Sequence, residues 1–422
     1  MTTDSAPAPG EDAPTALREP DVEVPRGWTG ALSLANGAIW VGWFGPIQIL
    51  LALQAAELAP GTGMPKESVL AWVTGIGAAV SMLCNPVFGA LSDRTASRFG
   101  RRTPWIAGGV VSGAAALVLL SFAPGIVTMT LGWCLVQVTL NAAFAAITAS
   151  VPDRVPHRRR GVVGGWLGAA QILGVVVGTG LATLGGGVVA GYAACAVFCV
   201  AGALPFVLRF KDPAGVRQPP FVWGPFLRSF WLSPRTYPDL GWAWLTRFLI
   251  NLGNSIALLY LLYYLRDRLH HEDPGTGVLI LTAVNGVTLL ATVVVSGAWS
   301  DRVGRRKPFV LWAGVLMAAA SGLLALWQTW PGALVAAALL GIGFGVFTSV
   351  DFALMTDVLP KAADRGKDLG VINVANSLPQ VAAPALAAPI VTHGGGYGVL
   401  YGVAAGVGLV GAVLVRRIKG VE

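Results

Sequence analysis

The chain has 422 residues, of which 55% are apolar and only 12% are charged, and its mean hydropathy is +0.67. A soluble globular protein carries about a quarter charged residues, so this composition excludes an ordinary soluble domain. The net charge of +8 admits a nucleic-acid partner. However, the basic residues lie in loops between apolar segments, and membrane topology explains that placement without nucleic acid.

The apolar sequence falls into twelve runs of roughly 20 or more residues. Each run is long enough to cross a hydrocarbon core of ~30 Å as a helix. The sequence shows no alternating strand pattern, and its Gly-rich runs suit close helix packing in lipid. The predicted spans are 29–57, 68–91, 104–123, 126–151, 162–184, 187–209, 239–265, 276–299, 308–328, 331–357, 369–392 and 395–415.

The remaining segments frame two bundles, predicted at 28–209 and 239–416. Residues 1–27 are rich in Pro, Ala and acidic residues, and they predict a disordered cytoplasmic tail. The linker 210–238 mixes Pro with aromatic residues, which predicts an amphipathic strip on the inner membrane surface. We expect residues 417–422 to form a second cytoplasmic tail.

The basic residues predict the orientation of the chain in its membrane. Most of the 29 Lys and Arg residues lie in alternate loops and in the tails. The loops on the opposite side hold only Lys66, Arg266 and Arg268. An excess of basic residues marks the cytoplasmic side, so we expect a multi-pass plasma-membrane protein with both termini in the cytoplasm.

Two charged loops occur twice, about half a chain apart. Residues 89–106 read GALSDRTASRFGRRTPWI, and residues 297–309 read GAWSDRVGRRKPF. A second pair, 152–161 (PDRVPHRRRG) and 356–366 (TDVLPKAADRG), follows the fourth and tenth spans. The repeats indicate a duplicated membrane protein whose halves each contain six helices. The fold class is therefore an all-α membrane protein with two pseudo-symmetric six-helix bundles.

These residues resemble the major facilitator superfamily. The resemblance rests on Gly-x-x-x-Asp-Arg-x-x-x-Arg-x-Gly-Arg-Arg between the second and third spans, and it covers nearly the whole chain. The version Ser-Asp-Arg-Thr…Gly-Arg-Arg-Thr-Pro-Trp is similar to the sucrose and glycoside–pentoside–hexuronide symporter branches. The resemblance implies a transporter in which two halves rock about a central site.

The resemblance also implies that the repeated loops form a cytoplasmic gate. Small glycines let helices approach closely, and the aspartates can accept hydrogen bonds from arginines or a helix N-terminus. Such a latch would hold this side closed and break when it opens, with Asp93 the more critical acid. The alternative is that the arginines serve only topology. The gate candidates are Gly89, Asp93, Arg94, Arg98, Gly100, Arg101, Arg102, Asp153, Arg160, Gly297, Asp301, Arg302, Arg305, Arg306, Asp357 and Arg365.

Polar stripes within the spans predict the substrate site. Residues at i, i+4 and i+7 share a helix face, and such a face cannot contact lipid cheaply. Trp40 and Trp43 suit the apolar faces of a sugar ring, although packing is the alternative. In the family fold, helices 1, 4, 7 and 10 line the central cavity. The substrate-binding candidates are Asn36, Trp40, Trp43, Gln137, Asn141, Arg247, Asn251, Asn254, Asn373, Asn376 and Gln380.

Two charged residues lie deep in predicted spans. Arg247 in the seventh span and Asp351 in the tenth lie at matching depth, so we expect an ion pair. Asp351 either exchanges a proton as Arg247 or the substrate moves, or belongs to a static bridge that braces the second half. Both interpretations remain open from the sequence.

We therefore expect a secondary active transporter that takes up a sugar or glycoside with a proton. The alternatives are an exporter of drugs or hydrophobic metabolites and a sensor on the same fold. Exporters of this fold usually carry an Arg in the fourth helix and a Pro-containing Gly motif in the fifth. This chain has neither, since Gly178 is followed by Thr179. We expect no enzyme site, metal or cofactor, no nucleic-acid partner, and a monomer in the lipid bilayer.

Overall fold

A computed structural model describes residues 23–25, 27–210, 224, 238–303, 305–358 and 365–419. The predicted tail at 1–27 and linker at 210–238 lie almost entirely outside these residues, as does half of the tail at 417–422. The membrane helices are α1 (Trp28–Gly61), α2 (Lys66–Asp93), α3 (Thr103–Ser121), α4 (Ile126–Arg154), α5 (Arg160–Leu184), α6 (Val188–Arg209), α7 (Pro238–Leu259 with Leu261–Arg268), α8 (Pro274–Val303), α9 (Lys307–Leu326), α10 (Trp330–Val358), α11 (Arg365–His393) and α12 (Gly396–Leu414).

The prediction of twelve spans is confirmed. Among the described residues, eleven helices are long and apolar enough to cross a membrane, and the two parts of α7 form a twelfth. The parts of α7 meet at an angle of 42° at Tyr260. The equivalent helix α1 contains a wider π-turn at Pro46–Leu50, which accommodates a proline that cannot donate to the preceding turn.

The helices pack as two equivalent sets of six. In the first half α1 packs on α5 and α6, while α4 packs on α2 and α3. In the second half α7 packs on α11 and α12, while α10 packs on α8 and α9. The halves meet where α2 contacts α11 and where α5 contacts α8. Since α8 is the equivalent of α2 and α11 the equivalent of α5, these two contacts are related by the pseudo-symmetry. The pseudo-symmetry expected from the repeated loops is thus present in the packing.

Glycines bring α5 and α1 into close contact. A Cβ atom at Gly174 would lie 2.4 Å from the carbonyl oxygen of Gly37 and 2.8 Å from the Cβ of Trp40. Such a distance leaves no room for any side chain, so glycine is required at this position. This close packing places Trp40 of α1 directly against α5.

The bundle has two chemically different ends. One of them, the arginine-rich end, carries the loops 94–102 and 155–159 and the residues between α8 and α9. The opposite one, the far end, carries the loops between α1 and α2, α7 and α8, and α11 and α12.

Candidate functional site

A cavity of about 340 Å³ lies between the two halves. Nine helices contribute to its wall: α1, α2, α4 and α5 from the first half, and α7, α8, α9, α10 and α11 from the second, with α9 contributing three residues. A site shared by two bundles in this way changes shape whenever one bundle moves relative to the other.

The polar part of the cavity wall is uncharged. Among the described residues, the lining contains amides and hydroxyls but no Asp, Glu, Lys, Arg or His. Amides can both donate and accept hydrogen bonds, so this wall is suited to a neutral polar molecule. The polar lining residues are Gln48, Thr74, Gln137, Gln171, Asn251, Asn254, Ser255, Thr282, Asn285, Ser321, Asn376 and Gln380.

Six of the substrate-binding candidates line this cavity. They come from α1, α4, α7 and α11 and therefore from both halves. They are Trp40, Gln137, Asn251, Asn254, Asn376 and Gln380. Trp40 stacks on Phe44 with ring centroids 5.3 Å apart, and both rings belong to the lining.

Three further candidates make contacts behind the wall. Asn36 is buried and donates from Nδ2 to the carbonyl oxygen of Leu167, which joins α1 to α5. Trp43 is buried with its ring 5.4 Å from that of Phe144. Asn141 donates from Nδ2 to Ser81 Oγ at 2.9 Å, which joins α4 to α2. All three stabilise helix contacts in this conformation rather than face the cavity.

The side chain of Asn373 lies outside the described residues.

Several lining residues were not identified in the sequence, notably Gln48, Thr74, Trp133, Gln171 and Asn285. Gln171 is the only amide in α5, whereas Asn285 shares its face of α8 with Thr282 and Thr288. A single amide within an apolar span could have identified such residues. A polar group inside the membrane is costly unless it contacts protein or water, so it indicates a helix contact or a cavity.

Arg247 and Asp351 form the ion pair expected between α7 and α10. Arg247 Nη1 lies 2.9 Å from Asp351 Oδ2, and the side chains are 12% and 2% exposed. Arg247 Nε also donates to Asn376 Oδ1 at 2.7 Å. Neither member of the ion pair belongs to the cavity lining, whereas Asn376 does. The pair therefore lies one layer behind the wall.

A polar network closes the cavity at the far end. Lys66 of α2 forms an ion pair with Asp267 of α7. The hydroxyl of Tyr397 in α12 lies 3.0 Å from Glu67 Oε1 and 3.1 Å from Asp267 Oδ2. The Tyr260 hydroxyl donates to the carbonyl oxygen of Glu67 at 2.8 Å. These contacts join the first half to the second where α7 breaks.

Toward the arginine-rich end, the cavity wall continues into exposed side chains. Phe344 of α10 lines the cavity, and Thr348, one turn nearer this end on the same face, is exposed. Thr148 has the equivalent position on α4 and is also exposed. The space beyond the cavity is therefore open to solvent on this side.

Arg102 connects the charged loops of the first half. It is buried, and its guanidinium donates to Asp93, to Ser92 Oγ at 2.5 Å and to Asp153 Oδ2 at 2.8 Å. Arg101 forms a second ion pair with Asp153 at 2.6 Å. Burial alone would lower the pKa of Arg102, but hydrogen bonds and charges from Asp153 and Asp93 raise it above its usual value.

This network differs in one respect from the expected latch. Its described contacts link the ends of α2 and α4 to the start of α3, within the first half. Among the described residues no helix approaches Gly89 closely, since a Cβ atom there would meet none of their atoms within 4 Å.

The other gate candidates of the first half have local contacts. Arg94 donates to the Ala90 carbonyl oxygen, and Arg160 donates to the carbonyl oxygens of Val155 and Pro152 at the end of α4. Arg98 is exposed and lies over the ring of Phe99. Gly100 has a φ of 99°, which favours glycine at this turn.

The residue before the third helix has the same backbone conformation in both copies of the loop. Arg306 immediately precedes α9 with φ −96° and ψ −36°, and Arg102 precedes α3 with φ −98° and ψ −37°. Arg302 and Arg305 are exposed. A Cβ atom at Gly297 would be in ordinary contact, 3.8 Å from that of Ser349. The side chains of Asp301, Asp357 and Arg365 lie outside the described residues.

Twelve membrane helices in two equivalent halves, with a central cavity closed at one end, define a multi-pass membrane transporter. The family model of the Major Facilitator Superfamily matches residues 32–287 and 243–421, and the chain belongs to this superfamily. The resemblance inferred from the repeated loops is confirmed at this level. The superfamily consists of secondary transporters, so the protein is a transporter and not an enzyme.

Comparison with individual proteins gives one related sequence and several similar folds. The general alpha-glucoside permease of Schizosaccharomyces pombe is 28% identical over a segment that covers 29% of this chain and only 27% of the permease. A peptide transporter POT in complex with sulfate has a TM-score of 0.73 at 14% identity, covering 93% of this chain and 94% of that one. A mutant of the nucleoside transporter NupG has a TM-score of 0.73 at 14% identity, covering 93% and 99%. These structures share the fold with this chain.

Replacement of Tyr397 by Phe should favour opening of the far end. The substitution removes a hydroxyl that contacts two carboxylates of different halves, which we expect to weaken closure by about 1–2 kcal/mol, or roughly five- to thirtyfold in the equilibrium. A cysteine replacing the buried cavity residue Thr74 reports the change through its rate of labelling by a membrane-impermeant maleimide added on the far side.

Tyr401→Phe is the matched control for this measurement. Tyr401 lies one turn along the same helix, and its buried hydroxyl has no hydrogen-bond partner among the described residues. Its replacement should leave the labelling rate unchanged. Equal rates in Tyr397→Phe and the parent would show that the Tyr397 hydroxyl does not hold the far end closed.

Proposed function

We propose that the protein takes up a sugar or glycoside together with a proton by alternating access. The observation that carries this proposal is the cavity wall, which combines uncharged amides from both halves with the stacked rings of Trp40 and Phe44. Sugar hydroxyls donate to and accept from amides, and the C–H faces of a sugar ring pack on aromatic rings. A cavity of about 340 Å³ is within the usual size range of small-molecule sites.

The comparisons support this substrate class indirectly. The loop sequence Ser92-Asp93-Arg94-Thr95 is similar to that of the sucrose and glycoside–pentoside–hexuronide branches, and the curated relative is an alpha-glucoside permease. The neighbours of known structure carry peptides and nucleosides by name, so the shared fold is compatible with several cargoes. The uncharged lining favours a sugar over a zwitterionic peptide, because each charged terminus would need a partner.

The orientation of the protein follows from its basic loops. We place the arginine-rich end in the cytoplasm of a plasma-membrane protein, with both termini on that side. The conformation with a closed far end is then inward-facing, and the network around Asp267 and Tyr397 forms the outer gate. Rocking of the halves along α2–α11 and α5–α8 would open that gate and close the inner side.

In this proposal the charged loops brace the inner end of each half. Arg102 ties α2, α3 and α4 together, so α2 moves as one body with its half and can present Gly89 to the other half when the inner side closes. The second copy would do the same for α8 through Gly297. In this proposal the network stabilises the surface that α2 presents to the other half.

Asp93→Asn should slow the conformational cycle while preserving the fold. The amide keeps one acceptor for Arg102 but loses the charge, so we expect transport to fall by about tenfold or more. Arg98→Ala is the matched control, because Arg98 is exposed and contacts only the neighbouring Phe99 ring in the described network. If both variants transport at the parental rate, with equal amounts in the membrane, the bracing role is wrong.

Export of a hydrophobic compound is the second candidate. Most of the residues that line the cavity are apolar, including Ile47, Ile172, Val175 and Leu289, and these would suit a lipophilic drug. A thermal-shift screen of purified protein against sugars, glycosides and lipophilic cations separates the two, because a ligand that binds the folded state raises its apparent stability. Stabilisation by cationic drugs alone would favour export.

Flux into proteoliposomes tests the proposal directly. Sucrose, which is an α-glucoside, should accumulate when the vesicle lumen is more alkaline than the medium, and collapse of the proton gradient should release it. A panel of maltose and methyl glucosides extends the test within the substrate class. Binding of sugar without any flux would identify a sensor instead, and flux without accumulation would identify a uniporter.

Asp351→Asn should abolish accumulation against a gradient while leaving downhill exchange. The amide cannot exchange a proton, but it has nearly the same size and can still accept from Arg247. Counterflow of labelled sucrose, which needs no driving force, is the control for an intact binding site. If Asp351→Asn still accumulates sucrose and keeps the parental pH dependence, Asp351 does not carry the proton.

A further inference from the structure

The cavity and the buried ion pair communicate through one side chain. Asn376 of α11 lines the cavity, and its Oδ1 accepts a hydrogen bond from Arg247 Nε at 2.7 Å. Arg247 in turn lies 2.9 Å from Asp351. We infer that Asn376 is the positioning residue through which substrate in the cavity controls the ion pair. This inference rests on the proposed proton-coupled transport and adds a coupling residue to it.

Asp351 depends on a single charged contact. Its side chain is 2% exposed, only Oδ2 faces Arg247, and Oδ1 has no hydrogen-bond partner in the described part of the chain. Three helices, α7, α8 and α9, pack against α10. Among their described charged side chains, Arg247 is the one that contacts Asp351. The other described charged side chains of these three helices lie at helix ends: Asp239, Arg266, Asp267, Arg268, Arg302 and Lys307.

A small movement of Arg247 therefore changes the charge state of Asp351. An ionised carboxylate buried without a partner costs several kcal/mol, and in practice such a group takes up a proton instead. The guanidinium is held between Asp351 on one side and Asn376 on the other. Whatever shifts Asn376 toward the cavity draws Arg247 with it and lengthens its contact with Asp351.

Substrate is the natural cause of such a shift. The Asn376 amide lies on the cavity surface beside Asn251 and Gln380, where a sugar hydroxyl can bond to its Nδ2 or Oδ1. A sugar held by these amides pulls Asn376 inward, Arg247 follows, and Asp351 binds a proton. By linkage, protonation of Asp351 must then strengthen sugar binding by the same factor, which is the coupling that a symporter needs.

Gln380 provides a matched control for Asn376. It lies one turn along α11, lines the same cavity and carries the same functional group, but no described contact links it to Arg247. Gln380→Ala therefore removes a sugar contact and leaves the connection to the ion pair in place. Asn376→Ala removes a sugar contact and the connection together.

The test compares proton and sucrose fluxes in proteoliposomes of the full-length protein. In the parent and in Gln380→Ala, each sucrose entering should carry a proton, although Gln380→Ala needs more sucrose to reach half-maximal rate. In Asn376→Ala, sucrose should equilibrate with the proton flux per sucrose reduced at least about fivefold, and its apparent affinity should lose its dependence on pH. Asn376→Gln, which keeps the amide, should restore part of the coupling.

A second measurement needs no sugar. The infrared band of a protonated carboxylic acid, assigned to Asp351 by its loss in Asp351→Asn, is followed against pH in the purified protein. Asn376→Ala should move the pH midpoint of this band, whereas Gln380→Ala should leave it at the parental value. An identical midpoint in Asn376→Ala would show that Asn376 does not position Arg247.

The outcomes separate this inference from the proposed function. If Asn376→Ala keeps the parental proton-to-sucrose ratio while its sucrose affinity falls as in Gln380→Ala, Asn376 is only a sugar contact and the inference is overturned. If the parent itself moves sucrose without protons, the proposed proton coupling fails and the inference fails with it. If proton coupling is lost in Asn376→Ala but kept in the parent and in Gln380→Ala, both the proposed function and the role of Asn376 are supported.

Discussion

The hydrocarbon core of a membrane contains no water, and this constraint organises the whole molecule. Every backbone group within a span must be satisfied by its own helix, and every polar side chain must meet protein or an internal cavity. Amides from both halves accordingly converge on one uncharged cavity. The two deep charges, Arg247 and Asp351, pair with each other immediately behind it.

The same constraint makes the two halves suitable for rocking. Within each half the helices pack closely through glycines, as at Gly174 against Gly37, which suits the proposed movement of each half as one body. Between the halves, the far end is held by polar contacts of Lys66, Asp267 and Tyr397 that water can replace when it enters. Hydrogen bonds exchanged for water have a modest net free energy, which permits closure to be reversible.

The charged loops illustrate how a motif and its structural role can differ. The sequence predicted acids that accept hydrogen bonds from nearby arginines, and Arg102 does donate to Asp93 and Asp153. The described partners lie in the same half, because Arg102 precedes α3 and donates to residues at the ends of α2 and α4. A sequence motif specifies which groups can bond, but the loop path decides which helices the bond joins.

The polar stripes were predicted with partial success for a related reason. Helical periodicity placed Trp40, Gln137 and Asn376 on cavity faces, and all three line the cavity. Asn36 and Asn141 share those stripes but bond to neighbouring helices instead. A stripe defines one face of a helix, and the cavity occupies only part of its length. Isolated amides such as Gln171 have no periodic partner, so their place in the wall was not evident.

The sequence by itself determined the membrane class, the twelve spans and the duplication. These features depend on local hydrophobicity, charge and repetition, which are properties of the chain read in order. Only the tertiary structure decided that Asn376 faces the cavity while bonding to Arg247, and that the far end is the closed one. Those contacts depend on the rotation and tilt of each helix, which close packing against distant helices fixes.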